Sequence, residues 1–312
     1  MAGGRRAAMV ATALVVVALL VAALAPRANR HREPDLSVTE TPVRASGPVL
    51  YVSPSGSDAN PGTAVRPLRS LQRAASLATA GTTVHVAAGS YAPVVSRGSG
   101  TSAARIVYVS DARWGAKIVT SGTAAPWYNY GSYVDIVGFE VSAPYAAQGI
   151  ISMGSYVRIL GNHVYSVALH TTSGPGAGIN HANYSSSHNE VSGNRVSNIG
   201  PSGNTQVQGI YVSQTGAVVR NNVVNRVSGW CLHAWHAATN ITVANNTVFN
   251  CGTPGVSGGG IVAGAGDSPG GVSFSDSTIS GNVVRDSADG IRLTGDVGPG
   301  VRIVNNTVIG AP

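Results

Sequence analysis

Six residues carry most of the chemistry offered by the second half of this chain: Asn180, Tyr211, His233, Trp235, His236 and Arg292. Four of them occupy one position, directly after a recurring pair. The pairs are Gly149-Ile150, Gly178-Ile179, Gly209-Ile210, Cys231-Leu232, Gly260-Ile261 and Gly290-Ile291. The residue that follows reads Ile151, Asn180, Tyr211, His233, Val262, Arg292. Where Ile or Leu faces inward along a strand, the next side chain faces outward. Strands stacked about 4.8 Å apart would set Asn180, Tyr211 and His233 in a polar row, with Arg292 roughly 10 Å beyond His233. A second outward column reads Met153, Ala182, Ser213, Trp235, Gly264, Thr294, which puts Trp235 beside His233.

This set suits β-elimination on a uronic acid polymer. That reaction needs a base for the proton beside the carboxylate, a cation to neutralise the carboxylate, and an acid for the leaving oxygen. His233 or Tyr211 would move the proton and Arg292 would hold the carboxylate. Asn180 would add a hydrogen bond, Trp235 a stacking wall, and His236 a further contact. The plainer alternative is an ordinary β surface, since Tyr and Trp form strands with no function required. His181 falls in the inward register and reads as a satisfied, partly buried histidine. His170 and His188 lie in loops.

The elements that must position these residues are announced by an eight-residue pattern. It occurs at 134–141 (VDIVGFEV), 157–164 (VRILGNHV), 189–196 (NEVSGNRV), 217–224 (AVVRNNVV), 241–248 (ITVANNTV), 277–284 (STISGNVV) and 301–308 (VRIVNNTV). The third column is Ile or Val and the eighth is Val, which is a strand with one buried face. The fifth is Gly or Asn, the residues that most easily take positive φ. The sixth is Asn in six copies: Asn162, Asn194, Asn222, Asn246, Asn282 and Asn306. Stacked amides in such a column bond from coil to coil. The copies lie 23, 32, 28, 24, 36 and 24 residues apart, which marks a solenoid. The expected fold is all-β: a right-handed, single-stranded parallel β-helix with an N-terminal capping helix. The long intervals carry loops, at 165–177, 197–208 and 264–276, that could wall the polar row.

Ahead of the repeats, 51–63 (YVSPSGSDANPGT) is a strand and a turn-dense loop. Residues 67–80 carry Leu68, Leu71, Ala74, Ala75 and Leu77 at helical spacing, and Gly81 ends them. Strands are expected at 83–86, 106–109 and 117–119. This run, continuing as PLRSLQRAASLATAGTTVHVAAGSY, resembles the N-terminal cap of right-handed parallel β-helices of the pectate lyase superfamily. It is most similar to the branch holding the lyases of polysaccharide lyase family nine and many exported proteins. The resemblance covers roughly 49–308. It implies an exported, carbohydrate-active β-helix, with a polysaccharide, in particular an anionic one, as partner and β-elimination as the reaction. A non-catalytic surface or glycan-binding β-helix is the alternative. Family-nine lyases use a Lys base and an Asp-rich calcium site. Here the sole lysine is Lys117, off the row, and the aspartates are scattered (Asp267, Asp276, Asp286, Asp289, Asp296). No cofactor or metal is therefore expected; calcium near the last aspartates is the one exception to consider.

Composition agrees with turn-rich β structure: 312 residues, 40 of them Gly, 43% hydrophobic and 11% charged. Six of the 20 basic and three of the 13 acidic residues precede Val49, leaving 14 against 10. A mildly basic body without basic runs gives no reason to expect nucleic acid. Residues 1–26 hold an apolar run after Arg5-Arg6 and read as a signal peptide or signal anchor, so the product is secreted or membrane-anchored outside the cell. Any membrane link runs through that segment, and residues 27–48 read as a linker. The β-helix domain is 49–312, with the cap and first coils at 49–122 and the repeat coils at 123–312.

Two carboxylates poised for hydrolysis are not evident. Asp135, Arg158 and Glu190, like Glu140, His163 and Arg195, read as ion-pair ladders across coils. There is no GxSxG. Cys251 falls in the inward column with Val167, Ile199 and Val227. Cys231 precedes an inward Leu232 and should point elsewhere, so the two are not expected to pair. The chain ends just after a coil pattern without a capping helix, which leaves a covering partner, a folded-back loop or a truncated product as alternatives.

Overall fold

The computed structural model describes residues 47–181, 183–266 and 271–311. The segment read as a signal or anchor, nearly all of the linker, Ala182 and Asp267 lie outside the described residues. Among the described residues no helix is long and apolar enough to cross a membrane.

From Val49 to Ile309 the chain winds through three parallel sheets. The first has ten strands, from Val49–Val52 to Arg302–Val304; the second nine, from Gly89–Tyr91 to Thr307–Ile309; the third eight, from Val94–Ser96 to Ile291–Gly295. Each strand pairs with its counterpart one coil away. The third pattern column aligns as Ile136, Ile159, Val191, Val219, Val243, Ile279 and Ile303 in the first sheet. The eighth aligns from Val141 to Val308 in the second. Each eight-residue copy is thus two strands and the corner between them.

That corner is where Gly and Asn are required. Gly138, Gly161, Gly193, Asn221, Asn245, Gly281 and Asn305 all have φ between +56° and +74°. The asparagine after each turn faces inward. In each successive pair the Oδ1 of one coil accepts from the backbone N–H of the coil before it: Asn162 to Asn194, Asn194 to Asn222, Asn222 to Asn246, Asn246 to Asn282 and Asn282 to Asn306, all at 2.9–3.0 Å. The Nδ2 groups donate to strand carbonyls such as Val191 O and Val219 O. The ladder satisfies turn backbone that the helical winding buries, where an unpaired group would cost about 1–3 kcal/mol.

The charged columns pair across coils as expected. The buried Asp135 carboxylate is held between Arg105 and Arg158, and Glu190 pairs with Arg220 at 2.8 Å. Lys117 and His163 flank Glu140. At another corner Tyr133, Tyr156 and His188 stack face to face, with centroids 4.6 and 4.9 Å apart. All three take positive φ. This corner was not legible, because Tyr and His do not signal left-handed backbone.

The capping helix is shorter than its spacing suggested, Leu71–Leu77 rather than 67–80. The Asp58 carboxylate accepts from the backbone of Arg69 and Ser70, which holds the preceding chain extended. Ser70 then caps the helix by accepting from Arg73 N. Leu68 is buried, bridging to Val52 outside the helix. Gln72 bonds both backbone groups of Val95, donating to its O and accepting from its N. That covers the edge of the third sheet. At the other end Ile303, Val304, Val308 and Ile309 are exposed.

The cysteine reading is corrected. Cys231 and Cys251 form a disulfide, with Cα atoms 5.7 Å apart and both residues buried. The reason lies in the Gly column that precedes each inward Ile. A Cβ on Gly178 would meet Val196 at 2.8 Å, and one on Gly209 would meet Val224 at 2.6 Å. The position therefore faces the core together with the residue after it. Cys231 occupies that place in its own coil and meets Cys251 across the interior.

Two outcomes follow. Asn222→Ala strips a buried N–H from its acceptor and should lower stability by about 3 kcal/mol, whereas Asn306→Ala at the half-exposed last rung should cost well under half of that, both read from denaturant midpoints. The unfolded protein should release no free thiol without reductant, and Cys231→Ala with Cys251→Ala should cost about 3 kcal/mol for a loop of this length.

Candidate functional site

The third sheet aligns Ile150, Ile179, Ile210, Leu232, Ile261 and Ile291 on the inside. The same register places Ile151, Asn180, Tyr211, His233, Val262 and Arg292 on neighbouring strands. A cavity of about 640 Å³ opens on this face, lined by Asn180, Tyr211, His233, Trp235 and His236 among others. Pro175 and Gly176 wall it from one inserted loop, and Thr205 and Gln206 from the next.

Ring geometry fixes its shape. His233 meets Tyr211 edge-on at 5.2 Å and Trp235 at 5.9 Å. His236 packs against Tyr184 at 4.7 Å and donates from Nδ1 to Gly266 O at 2.9 Å. The Trp235 indole lies over the backbone of Gly264, Gly266 and Gly295, where any added Cβ would strike it. These glycines give the tryptophan its seat.

Burial sets the protonation states. It pushes His233 down to about 3, helped by His236, and raises the Tyr211 phenol, helped by Tyr184. The imidazole is neutral and the phenol protonated at neutral pH. Asn180 donates from Nδ2 to Gln148 Oε1 at 2.9 Å, but among the described residues its buried Oδ1 has no partner, and neither does the buried Nδ1 of His233. Among the described residues that line the cavity there is no Lys, Arg, Asp or Glu.

Arg292 shares the column but not the cavity. Its guanidinium is ion-paired with Asp289 and lies 5.2 Å from the Trp230 ring centroid. Val262 stands between it and His233 in the register. Arg292 is thus not among the lining residues, though its guanidinium rests against one of them, Trp230.

Sequence reasoning missed Gln148, Tyr184, Gln208 and Trp230 as walls. Gln148, Gln208 and Trp230 sit two residues before an inward Ile or Leu, so strict alternation sends them inside. The double inward step at the Gly column reverses that parity. Tyr184 comes from a loop and left no signal. His181 is inward as expected, but it is fully buried and neither ring nitrogen has a hydrogen-bond partner among the described residues. Burial lowers it to about 3.

Among the described residues no three His, Cys, Asp or Glu side chains gather to hold a metal. Asp286 and Asp289 are paired with Arg285 and Arg292, and Asp296 accepts from Ser273.

Comparison with known proteins fits this architecture. Residues 112–248 match a family described as the right handed beta helix region, and residues 54–96 a family described as a protein of unknown function, DUF1565. Pectate lyase Pel9A superposes with a TM-score of 0.59 at 16% identity, over 84% of this chain and 77% of its own. The chain has a right-handed parallel β-helix fold. The same β-helix superposes on a GH136 lacto-N-biosidase from Eubacterium ramulus (TM-score 0.62, 15% identity, 84% of this chain) and spans only 56% of that enzyme. An alginate lyase from a Paenibacillus species gives 0.54 at 17% identity, over 77% of this chain and 94% of its own. In sequence, the uncharacterized protein YwoF of Bacillus subtilis is 49% identical over 53 residues, which are 17% of this chain and 11% of YwoF.

The depressed histidines predict acid sensitivity. Between pH 6.5 and about 3 the unfolded chain binds protons that folded His181 and His233 refuse. Stability should be insensitive to them above pH 6.5 and fall as pH drops below it, by up to about 1.4 kcal/mol per pH unit for each. His181→Phe should flatten that slope in denaturation curves taken from pH 7 to 5.

Proposed function

We propose that this β-helix is a carbohydrate-active protein that holds a glycan in the third-sheet cavity. The observation that carries the reading is the cavity's make-up: Trp235, Tyr184, Tyr211 and Trp230 around unpaired, buried polar atoms. Sugar rings offer apolar faces to aromatic walls and hydroxyls to such atoms. The structures that share the fold include a pectate lyase, an alginate lyase and a lacto-N-biosidase, which supports a saccharide as the ligand class.

Glycan binding without bond cleavage is the version best supported, since the cation assigned to a uronate carboxylate is engaged by Asp289. Proton transfer is the second reading. It is favoured by geometry, since His233 lies edge-on to Tyr211 at 5.2 Å, while burial, which makes His233 a weak base and Tyr211 a weak acid, counts against it. Export is part of the same proposal, supported by the apolar run after Arg5-Arg6 and by the Cys231–Cys251 bond, which persists in oxidising compartments.

A panel of plant, algal and bacterial polysaccharides, titrated against the intrinsic fluorescence of Trp230 and Trp235, tests the binding. At least one should bind, and Trp235→Ala should weaken it about tenfold, a loss of roughly 1.4 kcal/mol. Silence across the panel would sink the reading. If the second reading holds, pectate or alginate should yield unsaturated products absorbing in the near ultraviolet, and His233→Ala with Tyr211→Phe should abolish them.

A further inference from the structure

We infer that the third-sheet cavity selects an uncharged sugar unit and discriminates against a uronate, an inference that rests on the cavity being a glycan site. Three observations carry it. First, no Lys, Arg, Asp or Glu is among the described residues lining the cavity. A carboxylate entering it would give up water and meet no cation, and an unpaired buried charge is the costliest group to desolvate. Second, no guanidinium of this sheet is among the lining residues. Arg292 is paired with Asp289 and rests on Trp230. The Arg97 guanidinium lies over Tyr130, three coils before Tyr211 and so roughly 14 Å along the axis.

Third, the unpaired buried atoms ask for a hydroxyl. Asn180 is 7% exposed, its Nδ2 is spent on Gln148, and its free Oδ1 only accepts. His233 Nδ1 is likewise buried and unpartnered. A sugar hydroxyl donates to Asn180 Oδ1, and towards His233 Nδ1 it donates or accepts according to the tautomer. A carboxylate has acceptors alone, and against Asn180 Oδ1 it sets lone pair to lone pair. Burial keeps the His233 ring neutral at working pH, so that ring offers a carboxylate no positive charge.

The test uses the full chain and matched pairs of probes: α-1,4-galactotetraose against tetragalacturonate, and mannotetraose against tetramannuronate, each titrated by tryptophan fluorescence. The neutral member of at least one pair should bind ten or more times tighter than its uronate, with no change in affinity on adding salt. Ile151→Arg, which puts a guanidinium on the cavity wall beside Asn180, should narrow that ratio about tenfold; its circular dichroism and melting point check the fold. A uronate that binds as tightly as its neutral partner or tighter, and is lost in Trp235→Ala, overturns the inference while leaving the glycan site standing. If no probe binds, and the wider polysaccharide panel is also silent, the site reading and the inference fall together.

Discussion

The buried asparagine ladder is the interaction on which the rest of this molecule depends. A chain that turns inward at a corner on every coil buries turn backbone that water can no longer serve. An amide in the same place on each coil resolves this, because it has a donor for one neighbour and an acceptor for another. Asn162 to Asn306 do so with bonds of 2.9–3.0 Å from coil to coil. The ladder also fixes register. A coil that slipped by one residue would lose its amide and turn every side chain to the opposite face.

Register in turn makes the cavity. Asn180, Tyr211 and His233 come from strands separated by loops of different length, and only the common phase of the coils aligns them. The inserted loops leave the ladder undisturbed, since they leave and rejoin at corners. They supply Pro175, Gly176, Thr205 and Gln206 as walls. Rigid coils hold the row and variable loops shape the space above it, a division of labour in which sites change without the fold changing.

Much of this was legible in the residues. The Gly/Asn column, the amide column and the Val and Ile columns each have one physical explanation, and they agree on the fold. The polar row followed from the same register. What could not be read were departures from simple alternation. Two adjacent inward positions at the Gly column hid the Cys231–Cys251 bond and the cavity-facing Trp230 and Gln208. Left-handed Tyr133, Tyr156 and His188 carry no sequence mark of their backbone. The partner of Arg292 was also hidden, since an ion pair three residues away competes silently with a distant substrate role.

On the proposed reading, coil stacking assembles an aromatic saccharide site on the third sheet, with no Lys, Arg, Asp or Glu among its described walls. A crystal structure of the protein soaked with an oligosaccharide selected by affinity tests it most directly. A sugar ring should lie against Trp235, with a hydroxyl donating to Asn180 Oδ1. Sugar density on the first or second sheet, with the third-sheet cavity holding only water, would contradict it.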